Sequence, residues 1–150
     1  MSKFAALAAN VDTTIKVELT NPVTQEPIRD KDGRAAFIEV LSTDSQAGRE
    51  FDKTRRKLSA ARQLRGRNQL AAMDDNLEQM QAKLARLTRS WYLVDPATGD
   101  PVVGADGQAI PCTEENAKEL YSLGPTAYIF RQVWLEADET ANFIVSSSKS

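Results

Sequence analysis

From Asp44 to Trp91 the chain runs forty-eight residues without a proline. Proline is the strongest helix breaker, because its ring removes the backbone N–H and clashes with the preceding turn. Within the stretch, Leu70, Met73, Leu77, Met80, Leu84, Leu87 and Trp91 follow one another at spacings of 3, 4, 3, 4, 3 and 4, which sets them along one side of a helix. Three heptads are the lower bound for a coiled coil, so the seam reads as core first and as a docking face second. From Arg49 to Arg67 the part before it is basic: Arg49, Lys53, Arg55, Arg56, Lys57, Arg62, Arg65 and Arg67 oppose only Glu50 and Asp52, a net of +6. Around the middle of the stretch Gly66 and Asn68 are weak helix formers, glycine costing about 1 kcal/mol relative to alanine. Residues 44–90 therefore read as one long helix or as two hinged at Gly66. Unbroken, the helix would be about 65 Å long, more than a domain of this size buries along its length.

The flanks are β. Thr13 to Thr20 alternates Ile15, Val17 and Leu19 with Lys16 and Glu18, a half-buried strand. The turn-rich Asn21 to Gly33 follows, and Ala35 to Leu41 returns as a second strand, giving a long-armed hairpin over 13–41. Ser42, Thr43, Asp44 or Ser45 can cap the helix behind it. After the helix, Trp91 to Val94 reads as a strand, and Asp95 to Gly107 is again dense in turn formers. The arms repeat. Asn21 to Ala35 aligns without gaps on Asp95 to Ala109, sharing both prolines, a threonine, the Asp-Gly pair and the last alanine. Common ancestry and independent selection of turn chemistry both account for that. Thr113 with Glu114 and Glu115 starts a helix carrying Ala117, Leu120 and Tyr121, and Gly124-Pro125 ends it. A further helix places Tyr128, Ile129, Val133, Trp134 and Ala137 in one stripe, and Asn142-Phe143-Ile144 reads as an anchor.

The expectation is a single α+β domain with a flexible lead-in (1–12), an N-terminal β-hairpin (13–41), a long central helix (44–90), a second hairpin arm (91–112), a C-terminal helical pair (113–145) and a disordered tail (146–150). Between two similar arms, the helix reads as the spacer that sets their separation.

Chemistry is scarce. The chain has no histidine and one cysteine, Cys112, which leaves out the usual general base, a Cys-rich zinc site and an internal disulfide. Cys112 itself reads as a small buried residue at the end of a strand. The adjacent carboxylates Asp74-Asp75 and Glu114-Glu115 point in different directions on a helix and read as solvated. No phosphate-binding glycine motif is present. A non-enzyme without cofactor or metal follows. No apolar run is long enough to span a bilayer, and the Ala-rich start is too short and weakly apolar for a secretion signal. Charge is asymmetric: Trp91 to Val145 carries nine acids against Lys118 and Arg131, a net of −7. The basic run Arg49, Lys53, Arg55, Arg56, Arg62 and Arg65 is therefore expected to meet the acidic segment, in the same chain or a neighbouring copy. Nucleic acid is the lesser alternative, since only Phe51 offers base stacking within that run.

The strand ending in Asn21-Pro22, the AAFIEVLSTDS turn into an Arg-rich helix, WYLVD, PCTEENAKELY and the closing YIFRQVWLEADETANFI together resemble the tail assembly chaperones of tailed bacteriophages, from about Ile15 to Ile144. The resemblance rests on element order and on Trp91, Thr113 to Ala117, Gln132 and Asn142-Phe143. It implies a cofactor-free protein of the host cytoplasm that keeps the helical tape-measure protein soluble while tail-tube subunits gather, acting as a homo-oligomer. The seam residues Leu70, Met73, Leu77, Met80, Leu84 and Leu87 are then the candidate partner face. A structural virion component is the alternative.

Overall fold

The computed structural model describes residues 9–63 and 69–143, without the side chains of 58–63, 69–75 and 141. Strands β1 (Ile15–Glu18), β2 (Phe37–Val40) and β3 (Thr88–Tyr92) form one antiparallel sheet in the order β1-β2-β3. Helices α1 (Gln46–Gln63), α2 (Gln69–Leu87), α3 (Glu114–Ser122) and α4 (Ala127–Ala137) complete a mixed α+β fold. Alternation along β1 turns Val17 and Leu19 inward and leaves Lys16 and Glu18 exposed. The central β2 buries Ile38 and Val40 completely. Around them Leu84 and Leu87 of α2, Tyr121 of α3 and Val133 of α4 close a single core.

Of the two readings of the Asp44 to Trp91 stretch, the described residues form two helices and not one. Lys83 Nζ lies 2.9 Å from Asp52 Oδ2, the Arg86 guanidinium 5.5 Å from the centre of the Phe51 ring, and Arg55 donates to Asn76 Oδ1. Rising numbers on α1 meet falling numbers on α2, so the helices are antiparallel neighbours. In an unbroken helix Asp52 and Lys83, 31 residues apart, would stand about 46 Å from each other. α1 ends at Gln63 and α2 begins at Gln69. Gly66, the expected hinge, lies outside the described residues.

The helix also ends earlier than the seam suggests. α2 stops at Leu87, and Thr88 begins β3. Trp91, seventh in the seam, sits opposite Ile38 in the sheet. Pairing with β2, from Tyr92 opposite Phe37 to Thr88 opposite Val40, captures residues that local periodicity leaves on the helix. The expected strand 91–94 is thus shifted to 88–92, and its partner is β2 rather than the return of its own arm.

The sequence repeat is a structural repeat. Bridges Thr20↔Pro27 and Arg29↔Ala35 in the first arm recur as Val94↔Pro101 and Val103↔Ala109 in the second, at the aligned positions. Hydrogen bonds recur with them: Asn21 N to Glu26 O and Asp95 N to Asp100 O, both near 2.9 Å (2.9 and 2.8 Å), and Ile28 N to Leu19 O and Val102 N to Leu93 O, both 2.9 Å. Gln25, at φ 62°, takes the left-handed conformation that its counterpart Gly99 adopts at 76°. The arms are not held apart. Tyr92 donates to Asp30 Oδ2, and Lys31 Nζ pairs with Asp100 Oδ1 at 2.9 Å. A spacer role for the helices is therefore corrected.

Local chemistry fixes the remaining elements. Ser45 Oγ accepts from Gly48 N at 3.2 Å and caps α1. Asp12 Oδ1 accepts from Gln46 N at 2.8 Å, and Asn10 N donates to Phe143 O at 2.8 Å. Residues 10–12 are thus tied down rather than a flexible lead-in; residues 1–8 lie outside the described set, as do Ile144 and the tail. Thr113 Oγ1 accepts from Asn116 N at 3.1 Å, and Gly124–Thr126 forms a 3-10 turn between α3 and α4.

Candidate interaction surfaces

The seam residues divide by depth. Leu84 and Leu87 are fully buried and pack in this chain's own core, which removes them from the candidate partner face. Met80 is partly buried against that core. Leu77, one turn nearer the start of α2, is 51% exposed. Leu70 and Met73 continue the spacing, but their side chains lie outside the described residues. The seam therefore begins as core at Leu87 and has surfaced by Leu77, between the exposed Asn76 and Glu78.

The base of this helix is anchored by a buried polar relay. Thr88 Oγ1 donates to Leu84 O at 2.8 Å, so the Tyr121 hydroxyl, 2.7 Å away, must donate to Thr88 Oγ1. Burial drives the Tyr121 pKa well above its ordinary value. Two ion pairs join α2 to α3: Arg86 Nε with Glu114 Oε1 at 3.1 Å and Lys118 Nζ with Glu78 Oε1 at 4.0 Å. Both are surface pairs, each worth little alone.

Of the basic run, Arg49 Nε donates to the Asp44 carbonyl at 3.1 Å and Arg55 to Asn76. Lys53 and Arg56 are exposed, and Arg62 and Arg65 have side chains outside the description. Among the described ion pairs, Lys31–Asp100, Lys83–Asp52, Arg86–Glu114 and Lys118–Glu78, none takes its cation from the basic run. Lys83 makes the most sheltered one, its side chain 11% exposed.

A second cluster lies where the arms meet. Asp30 accepts from Tyr92 Oη, from Asp32 N at 2.9 Å and from Arg34 N at 2.8 Å. Arg34 stacks over the Tyr92 ring at 4.2 Å. The Tyr92 hydrogen bond, with those from the backbone, holds the Asp30 carboxyl below its ordinary pKa, and the same hydrogen bond, with burial, raises that of Tyr92. These groups staple the first arm to the base of the second. Each is satisfied by its neighbours.

Cys112 is half-buried in the segment before α3 rather than at the end of a strand, and burial raises its thiol pKa, which disfavours the thiolate. Glu114 is engaged with Arg86; the side chains of Asp74 and Asp75 lie outside the description. No group of three or more potential metal ligands occurs among the described residues, and no described helix is long and apolar enough to cross a membrane.

Gln132, one of the positions on which the resemblance rests, and Gly48, which no sequence pattern singles out, make structural contacts that the sequence does not announce. Gln132 presents its amide to strand backbone, accepting from Thr20 N at 3.0 Å and donating to Thr20 O at 2.9 Å. Gly48 lies against the Thr43 carbonyl, where a side chain would not fit. No protein-family model, curated protein or solved structure matches the chain.

Proposed function

We propose that this chain is a non-enzymatic tail assembly chaperone of a tailed bacteriophage, binding the helical tape-measure protein and tail-tube subunits in the host cytoplasm. The resemblance in sequence supports the reading, and one structural observation carries it: the α2 seam is rooted in the core at Leu84 and Leu87 and reaches the surface at Leu77. A helix anchored at one end can offer its apolar side to another amphipathic helix without reorganising its own fold. Met80 at the boundary adds a side chain that adapts to varied partners. Polar neighbours at Asn76 and Glu78 form a rim of the kind that keeps such contacts reversible.

Co-expression with the long helical protein encoded beside it in a tail gene cluster tests the reading. The partner should be soluble and co-purify with this chain, and insoluble without it. Equal solubility in both cases refutes the proposal. A second reading, a structural virion component, is favoured by the pair of stapled arms, which leave Val23 and Val103 exposed. Mass spectrometry of purified particles separates the two, since a chaperone is absent from finished virions.

A further inference from the structure

The edge of β1 away from β2 is a feature of the described surface that stands apart from the chaperone reading. Among the described residues β1 pairs only with β2, and Leu19 N points to that side, donating to Ala36 O at 3.0 Å. By alternation Val17 and Ile15 face β2 as well, and the backbone groups of Lys16, Glu18 and Thr20 face outward. Thr20 confirms the direction, because its outward N–H and C=O are both taken by the Gln132 amide. Those of Lys16 and Glu18 have no hydrogen-bond partner among the described residues. Beside them lies an open groove of about 410 Å³ lined by Lys16, Glu18, Thr20, Gln132, Leu135 and Glu136. Leu135 is 70% exposed there. An unpaired strand edge beside an exposed leucine is a site for strand addition.

We propose that β1 pairs antiparallel with β1 of a second copy of this chain, about a two-fold axis at Val17. In that register Lys16 of each copy lies opposite Glu18 of the other, giving four backbone hydrogen bonds and two opposite-charge pairs. Only outward-facing residues can form hydrogen-bonded pairs, so a shift moves in steps of two. One shift sets Lys16 against Lys16, and the other sets Glu18 against Glu18, and like charges directly opposite repel. The next pair in the favoured register would join Thr14 to Thr20, which Gln132 already occupies. The ladder is therefore confined to Lys16 and Glu18, and its register is set by charge. The two α4 helices lie on the same face of the joined sheet, which brings the two Leu135 side chains toward each other across the axis. An isologous contact of this kind closes on itself and gives a dimer rather than a fibre.

Sedimentation equilibrium of the full chain, with K16E, E18K and the double variant K16E/E18K, tests the proposal. The wild-type chain should dimerise reversibly. Each single variant should weaken the dimer by about tenfold or more, because two attractive pairs become repulsive. The double variant should return to within about threefold of wild type, since the exchanged charges are again complementary. Mixing K16E with E18K should restore pairing as a heterodimer, which neither forms alone. In the wild-type chain the amides of Lys16 and Glu18 should gain hydrogen-exchange protection with concentration while others on the surface do not, a readout that needs no variant. A chain that stays monomeric at millimolar concentration, single variants that dimerise like wild type, or a dimer whose Lys16 and Glu18 amides remain unprotected overturns it.

Discussion

Gly48→Ala sets two physical effects against each other. Inside a helix the change removes a glycine, which by propensity alone stabilises by about 1 kcal/mol. Here the new methyl carbon would stand 2.3 Å from the Thr43 carbonyl oxygen, 3.0 Å from its carbon and 3.3 Å from Lys83 Cε. The first of these is more than about 1 Å inside the separation at which such atoms attract. Lys83 can swing away; Thr43 cannot, because its N–H donates to Ala137 O at 3.1 Å and its hydroxyl to Asp138 Oδ1 at 2.7 Å. Retreat also weakens the Gly48 N to Ser45 Oγ cap. Overpacking against fixed backbone costs about 1–3 kcal/mol, and a disturbed hydrogen bond about 1 kcal/mol more. After the propensity gain, a net loss of about 2 kcal/mol remains. For a chain of this size that lowers the Tm by about 4–8 °C. Thermal and urea unfolding followed by circular dichroism measure it, with Gly124→Ala, where a Cβ meets nothing within 4 Å, as the near-neutral control. A neutral or stabilising Gly48→Ala would refute the packing argument, because it is what helix propensity alone requires.

Three further outcomes follow from the geometry. Spin labels at Glu50 and Arg86, with Cys112 replaced by serine, should report a separation under about 25 Å, whereas a continuous helix gives about 54 Å. Thr88→Val leaves the buried Tyr121 hydroxyl without an acceptor and should cost about 1–3 kcal/mol, more than Tyr121→Phe at about 1 kcal/mol, which leaves Thr88 its bond to Leu84 O. The pKa shifts give opposite pH dependences. Asp30 is lowered from 3.8, chiefly by Tyr92, so its contribution is present above that value and lost as pH falls through the lower folded pKa. Tyr121 is raised from 10.0 by burial, so its contribution is complete below pH 10.0 and lost as pH rises beyond it. Asp30→Asn should accordingly destabilise at neutral pH and make little difference at pH values where the carboxyl is already protonated.

What could be read from the sequence was local. Alternation placed β1, the aligned turn residues marked two similar turn-rich segments, and Thr113 with its following acids placed α3. What could not be read was set by distant partners. The spacing from Leu87 to Trp91 continues the seam by coincidence, and pairing of Trp91 with Ile38 claims it for the sheet. Gly66 marks a weak point in a helix but carries no information on the direction of the chain beyond it; that direction is set by Asp52 meeting Lys83 and Phe51 meeting Arg86. Periodicity gave every candidate partner residue on α2 equal weight. Burial separates Leu84 and Leu87, which are core, from Leu77, which is not. Phe130 is buried as well, although it lies outside the stripe assigned to α4, because Tyr121 and Trp134 pack against its ring at 6.0 and 5.9 Å.

The central claim, that the surfaced part of the seam docks a partner helix, is tested most directly by Leu77→Asp in the co-expression assay. Leu77 is 51% exposed, so the charge should change the stability of this chain by no more than about 0.5 kcal/mol. The account predicts a folded chain that no longer keeps the proposed tape-measure partner soluble or co-purifies with it. A folded Leu77→Asp chain that protects and retains the partner as well as wild type would contradict it.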